Sequence, residues 1–215
     1  MPRPRIRQHV NPLTRKFQQP IALPDWTQIY ANLQQPLHLD IGCARGRFTL
    51  AIAQAQPEMN FLGLEIREAL VTEANDCRDR KKLTNLHYLF CNANVDLKRI
   101  LRSLPSGVVQ WVSIQFPDPW FKKRHTKRRV VQPELVQALA DELPSGATIF
   151  LQSDVEAVAL EMTTLFAEHP RFSLTHSPPW LPENPLPVPT ERELATFAKG
   201  GAVYRSRFEV RGKSC

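Results

Sequence analysis

Between residues 37 and 152 the chain returns five times to a short, nearly uninterrupted apolar run, each followed by a polar stretch with apolar residues at helical spacing. The runs are 37–41 (LHLDI), 61–66 (FLGLEI), 86–91 (LHYLFC), 108–116 (VVQWVSIQF) and 147–152 (ATIFLQ). Runs of this kind read as strands buried on both faces. Of the intervening stretches, Val131, Leu135, Leu139 and Leu143 make one helical stripe, and Val155, Val158, Ala159, Met162, Leu165 and Phe166 make another. Strand and helix in alternation require right-handed crossovers and a parallel sheet covered on both sides, an α/β architecture. A short helix is expected over 25–33, a further helix after Thr190 and a last strand over 203–210. Residues 177–189, with six prolines in thirteen positions, must be an extended connection.

At 215 residues and 42% hydrophobic, the chain is long enough for one sizeable domain, expected over 25–215. It has no apolar stretch of membrane-spanning length and no secretory leader pattern, so a cytoplasmic protein without a membrane partner is expected. Cys43, Cys77, Cys91 and Cys215 are irregularly spaced and have no histidine at zinc-finger distance. No metal site is expected, and the first three should pack as reduced thiols.

The charge is unevenly placed. Eleven cations fall in two acid-free segments: Arg3, Arg5, Arg7, Arg15 and Lys16 within 1–24, and Lys122, Lys123, Arg124, Lys127, Arg128 and Arg129 within 122–129. Without those eleven the net charge of +7 would be −4, so the positive potential is concentrated where a polyanion would be met. Residues 1–24 read as a flexible basic arm that precedes the first strand and contributes nothing to the first strand-to-helix turn.

In an open parallel sheet, ligands bind beyond the C-terminal strand ends, which makes that turn the place to look. It reads Leu39-Asp40-Ile41-Gly42-Cys43-Ala44-Arg45-Gly46. Gly42 and Gly46 allow a sharp turn and close backbone approach, but Arg47 stands where a dinucleotide fingerprint needs its last glycine. An acid ahead of the loop, Asp40, and Glu65 at the end of the second strand suit a nucleoside cofactor with positive charge and ribose hydroxyls. S-adenosylmethionine is such a molecule, and Asn92 after the third strand is placed to meet its adenine.

After the fourth strand comes Phe-Pro-Asp-Pro-Trp-Phe and then the second basic segment. Prolines on both sides of Asp118 restrict the backbone that carries the carboxylate. Trp120 offers a flat face for a base, and Lys123, Arg124, Lys127, Arg128 and Arg129 can track phosphates.

The L-D-I-G loop, F-P-D-P-W followed by K-x-R-H-x-K-R-R, and a late T-x-x-E before G-x-x-Y-R together resemble the bacterial single-subunit tRNA (guanine-N7-)-methyltransferases, over about residues 37–210. The resemblance implies a class I, Rossmann-like methyltransferase fold with a mostly parallel seven-stranded sheet. It also implies methyl transfer from S-adenosylmethionine to N7 of guanine 46 in the tRNA variable loop. By motif position, Asp40, Glu65, Asn92 and Asp118 would line the cofactor, Asp118 would be catalytic, and Lys122, Asp154, Thr190 and Glu193 would contact substrate. The chain departs from the family pattern in having Asp40 where Glu is usual, Ala44 where Gly is usual and Arg192 where an aromatic is usual.

The residues alone leave other readings open. Ser153 with Glu156, around Asp154, and Thr190 with Glu193 both fit helix-capping boxes. A different class I RNA or protein methyltransferase, or a non-catalytic RNA-binding protein of the same fold, is compatible with the pattern. The partner expected is tRNA, with the chain a monomer or homodimer and no obligate protein partner.

Overall fold

The computed structural model describes residues 10–177 and 179–213. Arg3, Arg5, Arg7 and Cys215 lie outside the described residues. The five apolar runs are strands β1 (Leu37–Ile41), β2 (Asn60–Glu65), β3 (Leu86–Phe90), β4 (Val109–Gln115) and β5 (Thr148–Ser153). They alternate with α1 (Arg47–Ala55), α2 (Glu68–Arg80), α3 (Ala93–Ser103) and α4 (Pro133–Glu142). The chain continues through α5 (Glu156–Ala167), β6 (Phe172–Leu174), α6 (Glu191–Ala198) and β7 (Tyr204–Val210). The sheet has seven strands in the order β3-β2-β1-β4-β5-β7-β6. The pairings from β3 through β5 are parallel, and β7 runs antiparallel to both β5 and β6.

All five residues of β1 and all six of β2 are buried, as continuous apolar runs in a doubly covered sheet must be. One core joins the sheet to Leu97 and Ile100 of α3, Leu139 of α4, and Met162 and Phe166 of α5. The other joins Phe61, Tyr88 and Phe150 to Phe48 and Ile52 of α1, Val71 of α2 and Leu186 of the proline-rich connection. Because the chain leaves β1 toward β2 and later returns beside it as β4, a crevice opens at the C-terminal end of β1.

The segment expected to form a helix over 25–33 is a single 3-10 turn, Trp26–Gln28. Tertiary bonds claim it: Trp26 Nε1 donates to Ser103 Oγ at 2.8 Å, and the Ala31 amide to the Thr84 carbonyl at 3.2 Å. The described part of the basic arm, from Val10 onward, is docked on the domain. Ile21 and Leu23 pack on the core, the Ile21 amide bonds Asp96 Oδ1 at 3.1 Å, and Lys16 pairs with Glu68. Ser153 is the last residue of β5, and its Oγ accepts from the Val155 amide at 3.1 Å, so Ser153 and Glu156 do not form the reciprocal box.

The turn between β1 and α1 is pinned to β2 by the Gly42 and Cys43 amides, which donate to the Leu64 carbonyl at 2.8 and 3.0 Å. Gly42, Ala44 and Gly46 all have left-handed backbones, with φ of 85°, 51° and 67°. At Gly46 a Cβ would collide with the Tyr88 ring, whose hydroxyl donates to the Gly46 carbonyl at 2.6 Å. Gly46→Ala is therefore expected to destabilise the protein by about 2 kcal/mol or more, a fall in Tm of roughly 4–8 °C in a scanning melt. Ala44→Gly should act in the opposite direction, by about 0.5–1 kcal/mol, because it relieves the left-handed penalty of an alanine.

Candidate active site

A cleft of about 750 Å³ lies over the C-terminal ends of β1, β2 and β4, within the size range of ligand sites. At its floor Asp40 is buried. Its Oδ1 accepts from Ser113 Oγ at 2.7 Å and Gln115 Nε2 at 3.4 Å, and its Oδ2 from Thr49 Oγ1 at 3.0 Å. Burial raises the Asp40 pKa, and those three donors work against the rise. Ser113 Oγ also lies 2.9 Å from Nε2 of the buried His38. Burial drops the His38 pKa to about 3, so the ring is neutral. Since the single Ser113 proton goes to Asp40, His38 must donate from Nε2.

The polar chain continues beneath the cleft. Gln152 Nε2 donates to Gln115 Oε1 at 2.7 Å, and Arg205 Nε donates to Gln152 Oε1 at 3.2 Å. Arg205 then forms a buried ion pair with Glu193. Thr190 caps α6 as expected, its Oγ1 accepting from the Glu193 amide at 3.1 Å. The Glu193 carboxylate does not return to the cap; it takes Arg205 and, at 2.7 Å, Asn184 Nδ2. Only 2% exposed, Glu193 anchors α6 to β7 through Arg205.

Glu65 closes β2 and is also buried on the cleft wall. Its carboxylate accepts the Ala44 amide at 2.9 Å and three groups of Arg67: the amide at 2.9 Å, Nε at 2.8 Å and Nη2 at 3.0 Å. Burial of Arg67 opposes its charge, but the bonds and field of Glu65 and the field of Asp118 outweigh it and lift its pKa above the ordinary value. Arg67 is thus bonded to Glu65 and lies within the field of Asp118. Asn92 caps α3, accepting from the Asn94 amide at 3.2 Å, and its Nδ2 donates to the Phe17 and Pro12 carbonyls at 3.0 and 3.3 Å. Val10 and Pro12 line the cleft, so the arm does contribute to the site. Its docking follows from Asn92 holding its carbonyls and Phe17 packing edge-on against Phe90.

The Phe-Pro-Asp-Pro-Trp turn is bracketed by two non-glycine residues in left-handed conformation, Phe116 at φ 48° and Trp120 at φ 43°. Backbone strain of this kind persists only where the surroundings enforce it. Here the Phe116 amide is held by the Gln152 carbonyl at 2.8 Å, and the Pro119 carbonyl accepts Arg129 Nε at 2.8 Å. Arg129 also pairs with Glu161 of α5. Its guanidinium is thus engaged by two partners within the protein. Lys122, Lys123, Arg124 and Lys127 are exposed on the 3-10 turn Lys123–Arg128 and its cap. Arg128 lies over the Trp120 ring with its Cζ 5.0 Å from the centroid, and His125 meets the ring edge-on at 5.7 Å. Partial desolvation and the fields of Arg128, Arg124 and Lys122 push His125 below its ordinary pKa.

On the far wall, Asp154 accepts Arg192 Nε at 2.8 Å, and Arg47 at the start of α1 pairs with Glu191 at the start of α6. Asp40, Gly42, Asp118, Asp154, Thr190 and Arg128 all reach the cleft, as Glu65 and Asn92 do. Gly46 and Lys122 are not on its wall. Arg67, Arg47, Glu191, and the His38–Ser113 and Gln115–Gln152 pairs went unread in the sequence. Among the described residues no group of three or more His, Cys, Asp or Glu side chains is arranged to hold a metal ion, and no helix is long and apolar enough to cross a membrane.

A family model described as a putative methyltransferase matches residues 34–206. The chain is 66% identical over 208 residues to a tRNA (guanine-N(7)-)-methyltransferase of Synechococcus elongatus, covering 97% of both. It is 61% identical over 211 residues to one of Microcystis aeruginosa, covering 98% of this chain and all of that protein (100%). Among solved structures, the 16S rRNA methyltransferase KamB superposes with a TM-score of 0.58 at 18% identity, covering 87% of this chain and 93% of that one. An S-adenosylmethionine-dependent O-methyltransferase from Thermotoga maritima superposes at 0.53 and 14% identity, covering 87% and 63%. The fold is that of the class I S-adenosylmethionine-dependent methyltransferases, and by its sequence the chain belongs to the tRNA (guanine-N(7)-)-methyltransferase family.

Proposed function

We propose that the protein methylates N7 of guanine 46 in the variable loop of tRNA, with S-adenosylmethionine as methyl donor. The observation that carries this reading is one cleft with two buried carboxylates, Asp40 and Glu65, on its floor and wall, and Asp118 on a rigid turn that leads directly into exposed cations. Buried acids suit a ligand that brings its own positive charge and hydroxyl donors. The residues present fit S-adenosylmethionine: Glu65 would take ribose hydroxyls, Asp40 and the Gly42 turn would flank its amino acid part, and Asn92 would lie near adenine. When bound, it supplies an electrophilic methyl on a sulfonium.

Guanine N7 carries an in-plane lone pair and needs no deprotonation, so no general base is required. The chain has to orient the base and stabilise the positive charge that develops on the guanine ring. Asp118, restrained by Pro117 and Pro119, would do so by its field, with Arg67 beside it fixing its direction. Partial desolvation and the neighbouring cations hold His125 below its usual pKa, and it would steady the Trp120 ring that it meets edge-on. Lys122, Lys123, Arg124 and Lys127 would meet the backbone phosphates, Asp154 and Thr190 would face the substrate from the far wall, and Arg128 would act from its place on Trp120.

The direct test is to incubate the protein with S-adenosylmethionine and unmodified tRNA, digest to nucleosides, and locate the methylated residue. The expected product is 7-methylguanosine at position 46; a methyl on an exocyclic nitrogen, on ribose or elsewhere in the tRNA would overturn the reading. The phosphate track gives a second prediction. In Lys123→Ala/Lys127→Ala, log affinity for tRNA should fall less steeply with log salt, by about 2 in slope, with cofactor affinity unchanged. Arg129→Ala should leave that slope alone and lower Tm instead, because its partners are Pro119 and Glu161. An unchanged slope in the double variant would mean that the tRNA is held elsewhere.

A further inference from the structure

Trp120 is the aromatic that the sequence offers as a stacking surface, but one face of its ring is under the Arg128 guanidinium and its edge is against His125. Phe121, next in the chain, is 76% exposed and lies on the wall of the same cleft. Trp120, in a left-handed backbone conformation, is half-buried, whereas Phe121 is in solvent. Single exposed apolar residues are ordinary on a protein surface. Phe121 differs in its setting, three residues past Asp118 and directly before the exposed Lys122, Lys123, Arg124 and Lys127. A bare aromatic face inside a dense positive field excludes a basic or purely apolar partner. It matches a nucleic acid strand, whose phosphates meet the cations while an unstacked base meets the ring.

We propose that Phe121 stacks on the nucleobase adjoining the guanine to be methylated, replacing the face that this base loses when the guanine is drawn into the cleft. The inference rests on the tRNA reading of the site and adds to it the residue that compensates for base extrusion. Drawing a base out of its stack costs a few kcal/mol, and a ring waiting at the mouth returns part of it. Its position at the mouth sets Phe121 against the neighbouring base, while Asp118 serves the target. Stacking carries no net charge, so its contribution is independent of salt, unlike that of the lysines beside it.

The test uses the full chain, wild type, Phe121→Ala and Phe121→Trp, with three tRNAs: intact, abasic on the 5′ side of the target guanine, and abasic on the 3′ side. On intact tRNA, Phe121→Ala should bind roughly 5- to 150-fold more weakly, the range for losing one base–aromatic stack, and Phe121→Trp should bind within about threefold of wild type. Tm, S-adenosylmethionine affinity and the salt slope should be unchanged in both variants. On one of the two abasic tRNAs the difference between wild type and Phe121→Ala should shrink to within about twofold, as a double-mutant cycle requires of direct partners. Equal binding of Phe121→Ala and wild type to intact tRNA, or an undiminished loss on both abasic tRNAs, overturns the inference. If wild type methylates tRNA normally in that case, the inference falls alone; if wild type neither binds nor methylates tRNA, the functional reading falls with it.

Discussion

Much of the site follows from the burial of one carboxylate. Asp40 lies near the end of a strand with no solvent on either face, where an unpaired charge is costly. The chain surrounds it with three donors from two elements, Thr49 of α1 and Ser113 and Gln115 of β4. The two donors from β4 are then constrained in turn. Ser113 engages His38, and Gln115 engages Gln152, which engages Arg205 and through it Glu193 of α6. A hydrogen-bonded line thus crosses β1, β4, β5 and β7 under the cleft and fixes the helix that forms the far wall. Such a network rigidifies only when every member is satisfied, and the members of this line are.

Above this floor the positive charges divide into two populations. Arg129, Arg205 and Arg67 are turned inward and paired with Glu161, Glu193 and Glu65. Lys122, Lys123, Arg124 and Lys127 point to solvent. The first group holds the walls in place, and in particular Arg129 ties the strained Phe-Pro-Asp-Pro-Trp turn to α5. The second leaves a field at the mouth for a polyanion. A turn that presents Asp118 and Phe121 in fixed positions therefore depends on cations paired within the protein.

The central strands were legible because parallel strands buried on both faces read as unbroken apolar runs, and the glycine loop because its left-handed positions demand Gly42 and Gly46. The three-residue strand β6, Phe172–Leu174, is too short to carry a pattern. The expected helix after Asp25 failed because Trp26 and Ala31 bond to distant residues, which local periodicity does not encode. Arg129 is indistinguishable from Arg128 in sequence; only the direction of the turn brings one to Glu161 and the other to Trp120. Glu193 reads locally as a capping residue or a substrate contact, and its pairing with Arg205, across the turn into β7, has no local signature. Arg67 has no signature beyond following Glu65 by two residues, and its neighbour Asp118 comes from another crossover.

The chemistry ascribed to Asp118 is a charge held still, with no proton taken from the substrate. Single-turnover methyl transfer by wild type and by Asp118→Asn, measured across pH 6–9 with saturating tRNA and S-adenosylmethionine, separates these roles. If the carboxylate acts by its field, the wild-type rate is flat over that range and the isosteric amide is slower by about 10²–10³-fold, as for other removed electrostatic stabilisers. A wild-type rate that climbs tenfold per pH unit, or an Asp118→Asn enzyme close to wild type, would contradict it.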